Sequence, residues 1–327
     1  MSKITRRRLG AALAVAGVVW SAAGHAQRYP EKPITIVVAY PPGSDTDVMA
    51  RLYAEKLAPR AGQPVLVVNR AGASGMLGSS HVAHAAPDGH TLLFAPSTFA
   101  TAPLVLRQAG AAGYDPVADF TPVIQMTTSS LLLVAQPGSG FRKLDDIVDA
   151  SRRGQRISYG TSGSGSPMHI VGEWLNRAAG TGLQHIPYKG VAPSVTDVVA
   201  GHIPVALVTI GPVRQYLKAG KLTAIAVADP DRTPFLPNVP SIAESGFPDV
   251  RLRAWNAFFA PAGTPAPVVA WLNDKLGQVL AQPDVVEALA AWSAVPAGGS
   301  PAKLGARVAA DYRQLGRLID ELKIQAD

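Results

Sequence analysis

The chain has 327 residues, 47% hydrophobic and 16% charged, which is enough for one or two domains with a sizeable core and too apolar for disorder. Cysteine is absent, which excludes a disulfide framework, a thiolate metal site, a cysteine nucleophile and a lipid-modified N-terminal cysteine. Four basic residues and no acid fall in residues 1–27, so the net charge drops from +7 to +3 without them. That leaves no nucleic-acid footprint and only a mild bias toward anionic ligands.

Residues 1–27 read as a secretion signal. Arg6-Arg7-Arg8 precedes an Ala/Val/Leu/Gly run at 9–23, too short for a membrane span. Gly24-His25-Ala26 then offers small residues for cleavage after Ala26, implying export. Thr5-Arg6-Arg7-Arg8-Leu9 fits either a twin-arginine signal or an ordinary basic n-region.

Downstream, short apolar runs alternate with amphipathic stretches. Strands are expected at 34–40, 65–69, 91–95, 131–135, 157–159, 205–210 and 222–228. Helices are expected at 47–57, 144–153, 168–179, 194–200 and 212–219. Strand–helix alternation with nearly continuous apolar strands predicts an α/β fold with mainly parallel sheets. The last third reads as two proline-initiated helices, 265–281 and 301–324, with no strand between them. They form a helical tail suited to packing back on the first lobe.

Four strand-to-helix junctions carry small polar residues. They are Tyr40-Pro41-Pro42-Gly43-Ser44-Asp45-Thr46-Asp47, Ala95-Pro96-Ser97-Thr98, Gly160-Thr161-Ser162-Gly163-Ser164-Gly165-Ser166 and Val208-Thr209-Ile210-Gly211. Ligands of open α/β sheets sit beyond the carboxyl ends of the strands, where such loops gather. Free N–H groups and the positive helix ends suit an anion, and hydroxyls add donors. Asp47 is expected to cap its helix. The Gly/Ser/Thr run from Thr161 to Ser166 is longer than a single cap requires.

Further segments make the pattern specific. They include Asn69-Arg70-Ala71-Gly72-Ala73-Ser74-Gly75, Ala86-Pro87-Asp88-Gly89-His90-Thr91-Leu92-Leu93 and Asp119-Phe120-Thr121-Pro122-Val123. His185-Ile186-Pro187-Tyr188-Lys189-Gly190 and Ala260-Pro261-Ala262-Gly263-Thr264-Pro265 complete the series. In this order, across nearly the whole chain after residue 27, they resemble the Bug-type receptors of tripartite tricarboxylate transporters.

The resemblance implies a two-lobed, periplasmic-binding-protein-like (type II) α/β fold with a cleft between the lobes. It implies a non-catalytic, monomeric receptor that captures a small carboxylate and delivers it to integral membrane transporter subunits, with no cofactor. One lobe would comprise residues 28–127 plus 252–327 and the other residues 128–251. By the same resemblance the ligand contacts are Tyr40, Gly43 and Ser44, then Ser97 and Thr98. The other lobe would contribute Thr161, Ser162, Gly163, Ser164, Gly165, Ser166 and His169, with Val208 and Thr209. Two departures stand out: Ser44 replaces the second of a glycine pair, and Val208 stands where the family commonly has an aspartate. Without that acid, the expected ligand is less polar at that end, an aromatic or simple di- or tricarboxylic acid and not an amino acid.

Other readings fit less well. Gly160-Thr161-Ser162-Gly163-Ser164 approaches the nucleophile elbow of a secreted serine hydrolase, but its last position is Ser164 and not glycine. His81, His84 and His90 lack further ligands at metal spacing. Gly72, Gly75 and Gly78 match neither a Walker loop nor a dinucleotide fingerprint and read as a turn. Arg51, Arg70 and Arg214 read as salt-bridge residues, and Trp174, Trp255, Trp271 and Trp292 as core or hinge packing. A ligand-presenting subunit for a sensor kinase would share every feature of the transport receptor.

Overall fold

The computed structural model describes residues 29–106 and 113–326, so the expected signal and its cleavage point lie outside the described residues. Strand β1 (Ile34–Val38) pairs in parallel with β2 (Val65–Asn69) and β3 (Thr91–Pro96). Helix α1 (Asp45–Ala61) follows β1, α2 (Met76–Ala83) follows β2, and α3 (Thr98–Leu106) follows β3. Ser44, not Asp47, is the N-cap of α1: its hydroxyl accepts from Asp47 N–H at 3.2 Å. Asp47 reciprocates by accepting from Gly43 N–H at 2.9 Å, so serine and aspartate together satisfy two otherwise orphaned donors.

A second set of parallel strands lies further along the chain. Strand β5 (Ser158–Thr161) pairs with β6 (Gln184–Pro187) and β7 (Val205–Thr209). Its helices are α4 (Leu144–Arg152), α5 (Pro167–Ala179), α6 (Val191–Ala200) and α7 (Ile210–Lys218).

The sheets are mixed, which corrects the expectation of mainly parallel pairing. Strand β4 starts at Phe120 and not at residue 131, and runs to Ala135. Strand β9 (Arg253–Pro261) has no counterpart among the expected strands. Both run antiparallel to their neighbours. Pro122 and the polar run Thr127–Ser130 obscure the apolar pattern of β4, and its register slips twice against β9.

Strand β4 joins the two halves. Residues 120–130 pair with β9, whereas residues 131–135 pair with β7 and β8 (Thr223–Val227). At about 3.3 Å per residue such a strand extends roughly 50 Å, long enough to serve two sheets. The chain crosses back where Leu252 N–H donates to the Ala228 carbonyl at 2.7 Å, immediately before β9.

Each half has its own core. In the first, Phe94 packs on Phe258 at 4.7 Å between ring centroids, and Phe99 stacks on Phe259 at 4.4 Å. In the second, Leu131–Ala135, Val205–Val208 and the inner faces of α4 to α7 form a continuous aliphatic cluster.

The tail holds more than two helices. Between α8 (Ala266–Leu280) and α10 (Pro301–Leu322) lie α9 (Pro283–Ala291) and β10 (Ala294–Pro296), which pairs with β4. Three residues are too few to show a strand period. Helix α8 packs on β4 and α1, but α10 touches α5 as well as α3 and β4. The tail therefore lies against both halves and not the first alone. Its Ile319 closes a small cluster with Val105 and Ile170.

Candidate ligand-binding cleft

Helices α1, α3, α5, α6 and α7 all start where β1, β3, β5, β6 and β7 end, and these starts face one cleft between the two sheets. Tyr40, Asp45 and Thr46 line it from the first junction, and Pro96, Ser97 and Thr98 from the second. Ser162, Pro167 and Met168 come from the third, Gly190 and Val191 from the fourth, and Thr209 from the fifth. Ser129 of β4 and Ala254, Trp255 and Asn256 of β9 close the back. The cavity is small, about 30 Å³. Converging helix starts turn the positive ends of their dipoles toward it, and no lysine or arginine is among the described lining residues.

The back wall is rigidly tied. Ser97 N–H donates to the Trp255 carbonyl at 2.7 Å, and Trp255 N–H donates to Ser97 Oγ at 3.3 Å. The Trp255 indole donates to Asp311 Oδ2 of α10 at 2.7 Å, with the Arg307 guanidinium 5.9 Å from the ring centre. Burial pushes the Asp311 carboxyl above its ordinary range.

Asp45 is the one charged side chain among the described lining residues. Its Oδ1 accepts from Thr46 N–H at 2.9 Å. Its Oδ2 faces the hydroxyl of Thr209, on the opposite side of the cleft, at 3.4 Å. Desolvation raises its pKa, against the hydrogen bonds from Thr46 and Thr209. Desolvation likewise pushes the Tyr40 phenol up to about 12. An acid thus stands beside Thr209, one residue beyond the position where an aspartate is missing.

The Gly/Ser/Thr loop is fixed from behind. Thr161 Oγ1 lies 2.7 Å from His185 Nε2 and accepts from Gly163 N–H at 3.2 Å. His169 Nδ1 accepts from Gly165 N–H at 3.1 Å, and its ring stacks on His185 at 3.7 Å. Desolvation pulls the His185 pKa down to about 4. Ser166 caps α5 by accepting from His169 N–H at 3.2 Å. In front, Gly163 and Gly165 approach the first half so closely that added Cβ atoms would lie 2.7 Å from Ser74 Oγ and 2.9 Å from Ala102 Cα. Both have positive φ, 135° and 76°, so these positions need glycine twice over.

Of the residues nominated from sequence, Tyr40, Ser97, Thr98, Ser162 and Thr209 line the cleft. Gly163 and Ser164 instead line an adjoining groove with Tyr40, Ser74 and Tyr188. Gly43, Ser44, Thr161, Gly165, Ser166 and His169 shape the loops without lining either space. Val208 is an interior strand residue paired with Leu132. The sequence reading missed Asp45, Ser129, Gly190 and Asn256 as lining residues. Gly190 was within reach: it follows Pro187-Tyr188-Lys189, but β6 has only four residues, and without its strand the junction goes uncounted. Asn256 depends on β9, which the sequence pattern hides.

Ser162 Oγ donates to Met168 Sδ at 3.4 Å, and the neighbouring His169 accepts from Gly165 N–H through Nδ1. No group of three potential metal ligands occurs among the described residues. Gly72 and Gly75 shape the turn into α2, and Gly78 lies inside that helix. Arg51 pairs with Asp47 at 3.0 Å, and Arg214 donates to the Ala290 and Ala291 carbonyls at 3.2 Å each.

Two sheets joined by a shared strand, with helix starts turned on a hydroxyl-rich cleft, define a two-lobed solute-binding fold. Known proteins agree. Residues 49–324 match the profile described as "Tripartite tricarboxylate transporter family receptor". The protein BugT of Bordetella pertussis is 33% identical over 94% of this chain and 96% of its own. The structure of the periplasmic binding protein BugD superposes with TM-score 0.84 at 31% identity, covering 91% of this chain and 100% of that one. Rpa4515 of R. palustris, solved with adipate, gives 0.85 at 32% identity over 91% and 99% of the two chains. MatC of Rhodopseudomonas palustris, solved with malate, gives 0.83 at 31% over 89% and 100%. The chain belongs to the tripartite tricarboxylate transporter receptor family, a family of periplasmic solute-binding receptors and not of enzymes.

Proposed function

We propose that this protein captures a small carboxylate in the cleft and delivers it to the membrane subunits of a tripartite tricarboxylate-type transporter. The observation that carries this reading is the convergence of five helix starts and several hydroxyls on a space with no lysine or arginine among its described lining residues. Such a site holds an anion by fixed dipoles and hydrogen bonds and does not depend on a counter-ion. Malate and adipate in MatC and Rpa4515 put short diacids first among the ligand classes, with aromatic and tricarboxylic acids next.

Tyr40, Ser97, Thr98, Ser162 and Thr209 are the contacts in this reading. Residues 28–127 plus 252–327 act as one lobe and residues 128–251 as the other, turning about β4 and the return into β9. A ligand touching both lobes favours the closed state by its differential affinity. A micromolar dissociation constant corresponds to about 8 kcal/mol. A few hydrogen bonds to a charged group, at about 1.5–3 kcal/mol each, supply much of that before ordering costs.

A thermal-shift screen of the exported protein against di-, tri-, hydroxy-, amino and aromatic carboxylates tests the reading, because a ligand of the folded state raises the melting temperature by mass action. At least one acid class is expected to stabilise the protein with a saturating dose response. A flat response across the whole panel would overturn it.

A further inference from the structure

A cleft built to hold an anion has no use for spare acceptors, yet this one has two. Asp45 Oδ2 makes a single hydrogen bond among the described residues, the long one from Thr209 at 3.4 Å. Asn256 is 8% exposed, and its Oδ1 is buried without a hydrogen-bond partner. The Asn256 amide nitrogen is already committed to Thr127 Oγ1 at 3.3 Å, which leaves the oxygen as the free end. Both residues line the cleft.

With Asp45 ionised, neither atom can be satisfied by a carboxylate oxygen, which is itself an acceptor, nor by a methylene group. A buried acceptor that loses water and gains no donor weakens binding. We infer, on the carboxylate reading above, that the ligand also carries a hydrogen-bond donor, a hydroxyl or an ammonium, which Asp45 and Asn256 accept. Asp45 reaches the cleft from the first turn of α1, so the acid missing at Val208 is supplied from the other side, beside Thr209. The selected class is then a hydroxy- or amino-substituted acid, in preference to its unsubstituted parent.

Matched acids test this by calorimetry: succinate, malate and aspartate; glutarate, 2-hydroxyglutarate and glutamate; phenylacetate, mandelate and phenylglycine. Within the set that binds, the hydroxylated or aminated member is expected to bind about tenfold or more tighter than its parent. Asp45→Asn and Asn256→Ala should each shrink that preference several-fold, with melting curves confirming that both variants fold. The hydroxyl and ammonium members tell the two donors apart. Parent acids that bind as tightly as both substituted members would overturn the inference and leave the carboxylate reading standing, as would a preference that survives both substitutions. Binding by none of the nine acids would overturn both.

Discussion

The Thr101 hydroxyl donates to the Gly165 carbonyl at 2.6 Å, joining α3 of the first half to the loop before α5 of the second. Thr101 is fully buried, and Gly165 packs against the same helix at Ala102. Together with the approach of Gly163 to Ser74, this seam closes the cleft along one side.

Replacing Gly165 with alanine forces a Cβ to within 2.9 Å of the Ala102 Cα and requires a side chain at φ 76°. Ligand affinity is expected to fall at least tenfold, because the strain falls on the closed form. Thr101→Val should weaken binding about fivefold to tenfold through loss of one buried hydrogen bond. Titration calorimetry with any ligand from the thermal-shift panel checks both. Unchanged affinity in both variants would show that the seam takes no part in closure.

Trp255 joins the cleft to the tail, since its backbone holds Ser97 and its indole holds Asp311. Ligand binding is therefore expected to change tryptophan emission. That change should disappear in Trp255→Phe, although Trp174, Trp271 and Trp292 remain. The same variant should lose about 1–3 kcal/mol of stability, because the half-buried Asp311 loses a hydrogen-bond donor. A ligand-induced signal that persists in the variant would contradict this placement.

His185 gives the fold a pH dependence of known sign. Desolvation pulls its pKa from 6.5 to about 4 in the folded protein, so the unfolded chain binds the proton more readily. The stabilisation is fully present above about pH 6.5 and is lost as the pH falls toward 4. Melting temperature should drop across that window, and less steeply in His185→Gln, whose amide can still bond Thr161. Parallel wild-type and variant curves would rule out this origin.

Ser44 is expected to act as a cap. Ser44→Ala should cost about 1 kcal/mol by chemical denaturation, and Ser44→Gly, which restores a glycine pair, only a few tenths. A serine held chiefly for ligand contact would show the reverse: little loss of stability and a clear loss of affinity.

The sequence by itself determined the α/β class, most of the strands and helices, and the junctions at Tyr40, Ser97, Ser162 and Thr209. These follow from local rules, because an apolar run, a turn of small residues and a capped helix leave their period and composition in the chain. The tertiary structure alone decided the rest. The antiparallel course of β4 and β9, hidden by Pro122 and a polar run, sets which junctions meet. Only that meeting sends His169 behind the loop, brings Gly190 and Asn256 to the wall, and carries Asp45 to Thr209, 164 residues away in the chain. Which side chains face one another across a cleft depends on long-range pairing, and no local period records it.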